Sequence, residues 1–290
     1  MTIAARPLVE LCGGSAAVSL AVDGLKPPVY YRGGKRRFAA EILRHLPPVH
    51  PWLVNDPGPW SEFWEVAAGP FSAVLVRHLL EFHQSGTPRE LFKRLAEAPV
   101  PKIPSERVAV WLVLQHYAYA SRPVYRSGSE PDTWVTPGFC GASADRAAQR
   151  ERALAAGNRD AVRWAKTSRT LLNVIDDVEK LHGKIQFIST CFDLTRREQW
   201  DAMWYAISER AVVYIDPPYL GRSSGYSHEL GRADVLRLAS ELAREGKMVV
   251  ISEAGPLPLD GARHVKLSGP RGGGATSSRV SEEWLTILGE

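Results

Sequence analysis

The chain has 290 residues, 44% of them apolar and 23% charged, with 36 Lys and Arg against 32 Asp and Glu and a pI near 9.0. That length suits one large domain or a domain with a sizeable insertion, and the net charge of +4 permits a polyanionic partner without requiring one. No apolar run is long enough to span a bilayer. Met1-Thr2-Ile3-Ala4-Ala5-Arg6-Pro7 lacks a signal-peptide core, and Cys12, Cys140 and Cys191 form no CxxC pair, which points away from structural zinc and disulfides and towards a reducing cytoplasm.

In chain order, residues 8–12 read as a strand that runs through Gly13 and Gly14 into a helix over 15–22. Paired glycines let a ligand approach the backbone, and the helix N-terminus behind them favours an anionic group, although many such turns serve no ligand. Next comes Tyr30-Tyr31-Arg32-Gly33-Gly34-Lys35-Arg36-Arg37, followed by helical spacing over 37–46. Lys35 beside two glycines can reach a ligand carboxylate and Tyr31 can pack against a ligand; a solvated basic helix start is the plainer alternative. The spacing is not that of a Walker A loop. Residues 52–55 read as a strand ending in Asp56-Pro57, either a ribose-binding acid or a simple turn.

The middle changes character. Helical stretches are predicted over 72–83 and 107–120, and residues 121–150 read as a loop in which Arg122, Tyr125, Arg126, Trp134, Phe139, Arg146 and Arg150 stand among Gly, Ser and Pro. Interleaved basic and aromatic residues suit a stacking and phosphate-binding surface, and equally an ordinary surface loop. An amphipathic helix is predicted over 160–181, strands over 184–189, 211–215, 248–252, 262–267 and 283–288, and a helix over 233–245. Strands alternating with helices point to a mostly parallel sheet covered on its faces.

The run at 211–215 stops at Asp216-Pro217-Pro218-Tyr219. Two prolines end the pairing, so a carboxylate, proline carbonyls and an aromatic face come together at the carboxyl end of a sheet, where open α/β folds bind ligands. Those groups suit an exocyclic amine on a flat base. The acid and a carbonyl accept its N–H groups, and Tyr219 offers a stacking surface.

The series glycine turn, Gly-Gly-Lys, strand-end acid, basic insertion and Asp-Pro-Pro-Tyr resembles the Dam-like (D12) class of DNA adenine-N6 methyltransferases. Residues 184–193, ending in Cys191-Phe192-Asp193, are similar to that class's strand and cofactor-adenine contact. Ser224-Gly225-Tyr226-Ser227-His228-Glu229-Leu230 is similar to the segment that closes over the target base. The chain departs from the class in placing the glycine turn before Gly-Gly-Lys, as in a phage-like variant with permuted N-terminal motifs. Its turn also reads Glu-Leu-Cys-Gly-Gly-Ser.

The resemblance implies a Rossmann-like S-adenosylmethionine-dependent methyltransferase core over 1–60 and 158–290, with about seven mostly parallel strands, and a mainly helical target-recognition insertion over 61–157. It implies base flipping in double-stranded DNA and direct methyl transfer to adenine N6 at Asp216, Pro217, Pro218 and Tyr219. It places Glu10, Cys12, Gly13, Gly14, Tyr31, Gly33, Gly34, Lys35, Asp56, Phe192 and Asp216 about the cofactor. Tyr226, Arg122, Tyr125, Arg126 and Arg146 fall on the DNA side, with no metal. Cytosine-N4 methylation makes the same demands on Asp216, and a catalytically silent DNA-binding module is the alternative from outside enzymes.

Overall fold

The computed structural model describes residues 4–30, 34–56, 59–140, 155, 157, 170–182, 188–190, 210–217, 230–267 and 282–289. In chain order its elements are β1 (Arg6–Leu11), α1 (Ala17–Val22), a 3-10 turn (Lys35–Arg37), α2 (Ala39–Leu43), β2 (Val49–Asn55), α3 (Pro59–Ala68), α4 (Ser72–Gln84), α5 (Pro88–Glu97) and α6 (Pro104–Tyr117). A second 3-10 turn (Tyr119–Ser121) follows, then β3 (Tyr125–Arg126), β4 (Trp134–Val135), α7 (Leu171–Leu181), β5 (Ile188–Thr190), β6 (Val212–Ile215), α8 (Arg232–Arg244), β7 (Met248–Glu253), β8 (Arg263–Lys266) and β9 (Trp284–Leu288). These fall into two compact units, one of residues Met1–Pro27, Gly34–Ser61 and Gln186–Glu290, the other of Pro28–Gly33 and Glu62–Ile185.

The first unit is a seven-stranded sheet in the order β5-β2-β1-β6-β7-β9-β8. β5, β2, β1, β6 and β7 pair in parallel, and only β9 runs against its neighbours. The expected α/β Rossmann-like core, with about seven mostly parallel strands, is therefore what the chain forms. Strand alternation divides the core into two faces. Val9, Leu11, Val213, Ile215, Val249 and Ile251 point to one side and pack with Val235, Leu238, Ala239 and Leu242 of α8. Leu8, Val212, Tyr214, Val250, Leu285 and Ile287 point to the other and pack with Val18, Ala39 and Ile42 of α1 and α2. Pro51, which has no N–H to donate, stands in β2 below Leu53, the lowest residue of β2 that pairs with β5 among the described residues.

The second unit is mainly helical. α6 is buried on nearly every side, and α4 and α5 pack against it. Phe63 and Trp64 stack edge to face at 4.6 Å, and Arg107 of α6 donates to both carboxylate oxygens of Glu62 and to the carbonyls of Pro101 and Lys102. The amphipathic helix expected from residue 160 is described from Leu171. Its buried stripe of Leu171, Val174, Ile175, Val178 and Leu181 belongs to α7, which packs on α4 within this unit.

Two helices escaped the periodicity, α3 and α5. Thr87 and Glu90 form a capping box with Pro88 at the first helical position, a start signal legible in Thr-Pro-Arg-Glu. The stretch expected as a loop instead carries the β3–β4 hairpin, in which Arg126 Nε donates to Asp132 Oδ2 at 2.6 Å. Trp134 is buried, and Phe139 lies 5.5 Å from Phe92 and 5.9 Å from Tyr117. Both rings serve packing rather than an open stacking surface.

Ile251, fully buried in β7 against α8, offers a direct test of the sheet's core. Ile251→Ala is expected to lower the unfolding free energy in urea by about 2–5 kcal/mol; a midpoint equal to the parent's would contradict the packing described.

Candidate active site at the carboxyl end of the sheet

The chain order reverses direction across the sheet between β1 and β6, so the carboxyl ends of these strands flank the crevice where such sheets bind ligands. After β1 the backbone turns sharply, with Cys12, Gly14 and Ala16 all in the left-handed region (φ 54°, 49° and 48°). Gly13 is required for a different reason. A Cβ there would stand 2.8 Å from Val54 Cγ1 and 3.3 Å from the Glu10 carbonyl oxygen, while its N–H donates to Asn55 O at 2.8 Å.

Glu10 is an acid inside the sheet, pointing to the face that α1 covers. Its Oε2 accepts from the Ser19 N–H at 2.8 Å and the Ser19 hydroxyl at 2.6 Å, and the carboxylate also accepts from the Val18 N–H. These are amides of the first turn of α1, which no side chain of its own N-cap satisfies. The acceptor at this helix start is therefore the chain's own Glu10 carboxyl, where the sequence suggested a place for a ligand's negative group. Burial raises the Glu10 carboxyl from 4.5 to about 7, against the pull of the Ser19 bonds.

On the same face, β6 is followed directly by Asp216, whose N–H donates to Leu11 O at 3.1 Å. Lys35 arrives from the 3-10 turn and is itself 4% exposed; its Nζ lies 2.5 Å from Asp216 Oδ1 and 3.6 Å from Glu283 Oε1. Ser252, fully buried near the end of β7, donates its hydroxyl to the same Oδ1 at 3.1 Å, and the Tyr214 hydroxyl donates to Ser252 Oγ at 2.8 Å. Both side-chain donors thus meet at Oδ1, and Oδ2 has no hydrogen-bond partner among the described residues. Burial raises the Asp216 carboxyl above its ordinary range, with Lys35 and Ser252 opposing the shift. Glu253 is also raised by burial, and burial with the charges of Asp56 and Asp216 pushes the Cys12 thiol up.

The structure thus joins three of the sequence clusters. Glu10, Cys12 and Gly13, then Gly34 and Lys35, then Asp216 and Pro217 all lie in the first unit, and Asp56 follows the end of β2 close enough to act on Cys12. Arg122, Tyr125 and Arg126 lie in the second unit; all are exposed, and Arg126 is tied to Asp132. Tyr31, Gly33, Pro218, Tyr219, Phe192, Tyr226 and Arg146 lie outside the described residues. Sequence reasoning missed Tyr214, Ser252 and Glu283. Their signal was strand parity, since positions 212 and 214, 250 and 252, and 283, 285 and 287 alternate onto one face. Among the described residues no group of three or more His, Cys, Asp and Glu side chains is placed to hold a metal ion, and no helix is long and apolar enough to cross a membrane.

No protein-family model matches the chain. No curated protein matches it either. Among solved structures the chain is similar to the rRNA methyltransferase AviRa from Streptomyces viridochromogenes, at 10% identity over 98% of this chain and 76% of that one, with a TM-score of 0.32. A likeness of that size carries no functional weight.

Two outcomes are expected of the buried charges. The folded chain keeps a proton on Glu10 that the unfolded chain releases above about pH 4.5, so this group's stabilisation is full below that pH and is lost as the pH rises to about 7. Glu10→Gln keeps an acceptor for Ser19 and removes the titration. Its urea midpoint relative to the parent should therefore rise between pH 5 and pH 8, by on the order of 3 kcal/mol in stability, whereas parallel curves would deny the burial of an ionising group. Lys35→Met should leave Asp216 buried without its cation and cost about 3–5 kcal/mol at pH 7. Adding Asp216→Asn should return much of that loss in chemical denaturation, and additive losses would mean that the two groups do not interact.

Proposed function

We propose that the chain is an S-adenosylmethionine-dependent methyltransferase acting on the N6 amino group of adenine in DNA. The observation that carries this reading is the asymmetry of Asp216: Lys35 and Ser252 hold Oδ1, and Oδ2 has no hydrogen-bond partner among the described residues, which leaves it to accept. An exocyclic amine has two N–H groups to give. Oδ2 takes one, and the Pro217 carbonyl, next along the chain, takes the other. Holding both leaves the nitrogen lone pair directed out of the plane of the base, so that positioning supplies much of the catalysis.

The donor set fits a cationic methyl donor. Asp216, Glu253 and Glu283 lie about the ammonium of Lys35, with Asp56 beside the glycine turn. A corner so rich in carboxylates suits a ligand carrying ammonium and sulfonium charges. When bound, S-adenosylmethionine supplies an electrophilic methyl group. Gly13 and Gly14 would border the cofactor and Asp56 would accept from its ribose. Lys35, expected at the methionine carboxylate, serves in this reading to hold Asp216 in place and ionised. The raised proton affinity of Asp216 also suits it to take the proton that the amine sheds once alkylated.

The adenine must leave the duplex to be reached, at a cost of a few kcal/mol. Charge supports a DNA partner: residues 28–33 and 62–185 hold 18 Lys and Arg against 14 Asp and Glu, so the second unit carries the whole of the chain's +4.

Incubation with labelled S-adenosylmethionine and unmethylated DNA, followed by nucleoside analysis, is expected to place the label in N6-methyladenine. Asp216→Asn should reduce transfer by on the order of 10²–10³-fold while the variant still binds DNA. Label in N4-methylcytosine would move the reading to cytosine. Retained DNA binding without transfer by the parent protein would make the chain a silent binding module.

A further inference from the structure

Gln115 is a buried amide in α6 that ties together three backbone segments of the second unit. Its Nε2 donates to the carbonyls of Tyr30 at 3.2 Å and Arg122 at 3.1 Å, and its Oε1 accepts the Val124 N–H at 3.0 Å. Trp111 Nε1 donates to Val124 O at 3.0 Å, and the Arg122 N–H donates to Tyr119 O at 3.1 Å, across a turn in which Ser121 is left-handed (φ 53°). The polar interior of this knot fixes the backbone, and the side chains it carries face outwards. Tyr30, Tyr119 and Tyr125 are 49%, 55% and 36% exposed. The guanidinium of Arg122, between the last two in the chain, makes no hydrogen bond or ion pair with any described residue.

We propose that Tyr30, Tyr119 and Tyr125, set about Arg122, form a platform on which the unstacked bases of a DNA strand lie, with Arg122 on the phosphates. Three large aromatic faces held out from a rigid backbone lose little entropy on binding and offer the flat apolar surface that a base face seeks. The Arg122 guanidinium among them supplies the opposite charge to the strand, in the unit that carries all of the chain's positive excess. In a closed duplex the base faces are covered by their neighbours. The occupant is therefore a strand opened by mismatch, by an end or by extrusion of a base. This inference rests on the DNA reading above and adds to it a second contact, remote in sequence from Asp216.

Fluorescence anisotropy with a labelled single-stranded 16-mer and with the matching perfect duplex tests it. Tyr119→Ala, Tyr30→Ala and Tyr125→Ala should each weaken single-strand binding about tenfold and leave perfect-duplex binding within about twofold. The corresponding Phe variants should bind as the parent does, because a ring face and not a hydroxyl is required. Arg122→Gln should lower the slope of log affinity against log salt by about 0.7. Parent-like single-strand binding by all three Ala variants, in a protein that methylates DNA, would overturn the platform and leave the DNA reading standing. A parent protein that binds neither strand nor duplex would overturn both. A concentration-dependent dimer of the parent that the Ala variants abolish would assign the tyrosines to a second copy of this chain and overturn the platform.

Discussion

The carboxyl end of the sheet is organised by one contact, the 2.5 Å approach of Lys35 Nζ to Asp216 Oδ1. A lysine that is 4% exposed has given up nearly all its water, and only opposite charge close at hand makes that tolerable. Asp216 and Glu283 supply it. Such a pair is weak evidence for stability, since a well-packed apolar pair would do as well. Its value lies in orientation: an ammonium and a serine hydroxyl converge on one carboxylate oxygen, which restrains the plane of the acid and leaves Oδ2 without a hydrogen-bond partner among the described residues. The Tyr214–Ser252–Asp216 chain strengthens that choice, because donors in series polarise one another.

The face on which these groups lie is as important as the groups. It begins as an apolar layer of Leu8, Val212, Val250, Leu285 and Ile287 under α1 and α2, and turns polar towards the strand ends through Glu10, Tyr214, Ser252 and Glu283. The opposite face stays apolar beneath α8. Strand alternation alone thus sorts structural from chemical positions. Glu10 then closes the start of α1 with an internal carboxyl group that accepts from its first-turn amides.

All seven core strands were legible, because short β-branched runs bounded by Pro, Gly or acid have few other uses, and the described ends lie close to the expected ones. α3 and α5 were not, since their signals are caps and prolines rather than an unbroken stripe. Lys35 and Asp216 were singled out as separate motifs, but their meeting across 181 residues belongs to topology, which local patterns do not encode. The unusual motif order has a plain structural solution. The 3-10 turn that bears Lys35 packs beside α1 on the Tyr214 face, so Gly-Gly-Lys delivers its ammonium to Asp216 although it follows the glycine turn. Ser252 and Glu283 went unnoticed because a lone Ser or Glu at a strand end has many ordinary explanations; only the register β6–β7 and β7–β9 makes them neighbours of the acid.

Cys12 stands in the same corner, in a left-handed turn, with burial and then the charges of Asp56 and Asp216 holding its thiol in the protonated form. Thiolates, not thiols, attack electrophilic carbon. If a sulfonium methyl donor binds here as proposed, burial first, and then the negative charges that attract the donor, disarm the thiol lining the turn. Were the proposed donor bound here, the turn beside it would thereby be protected from alkylation.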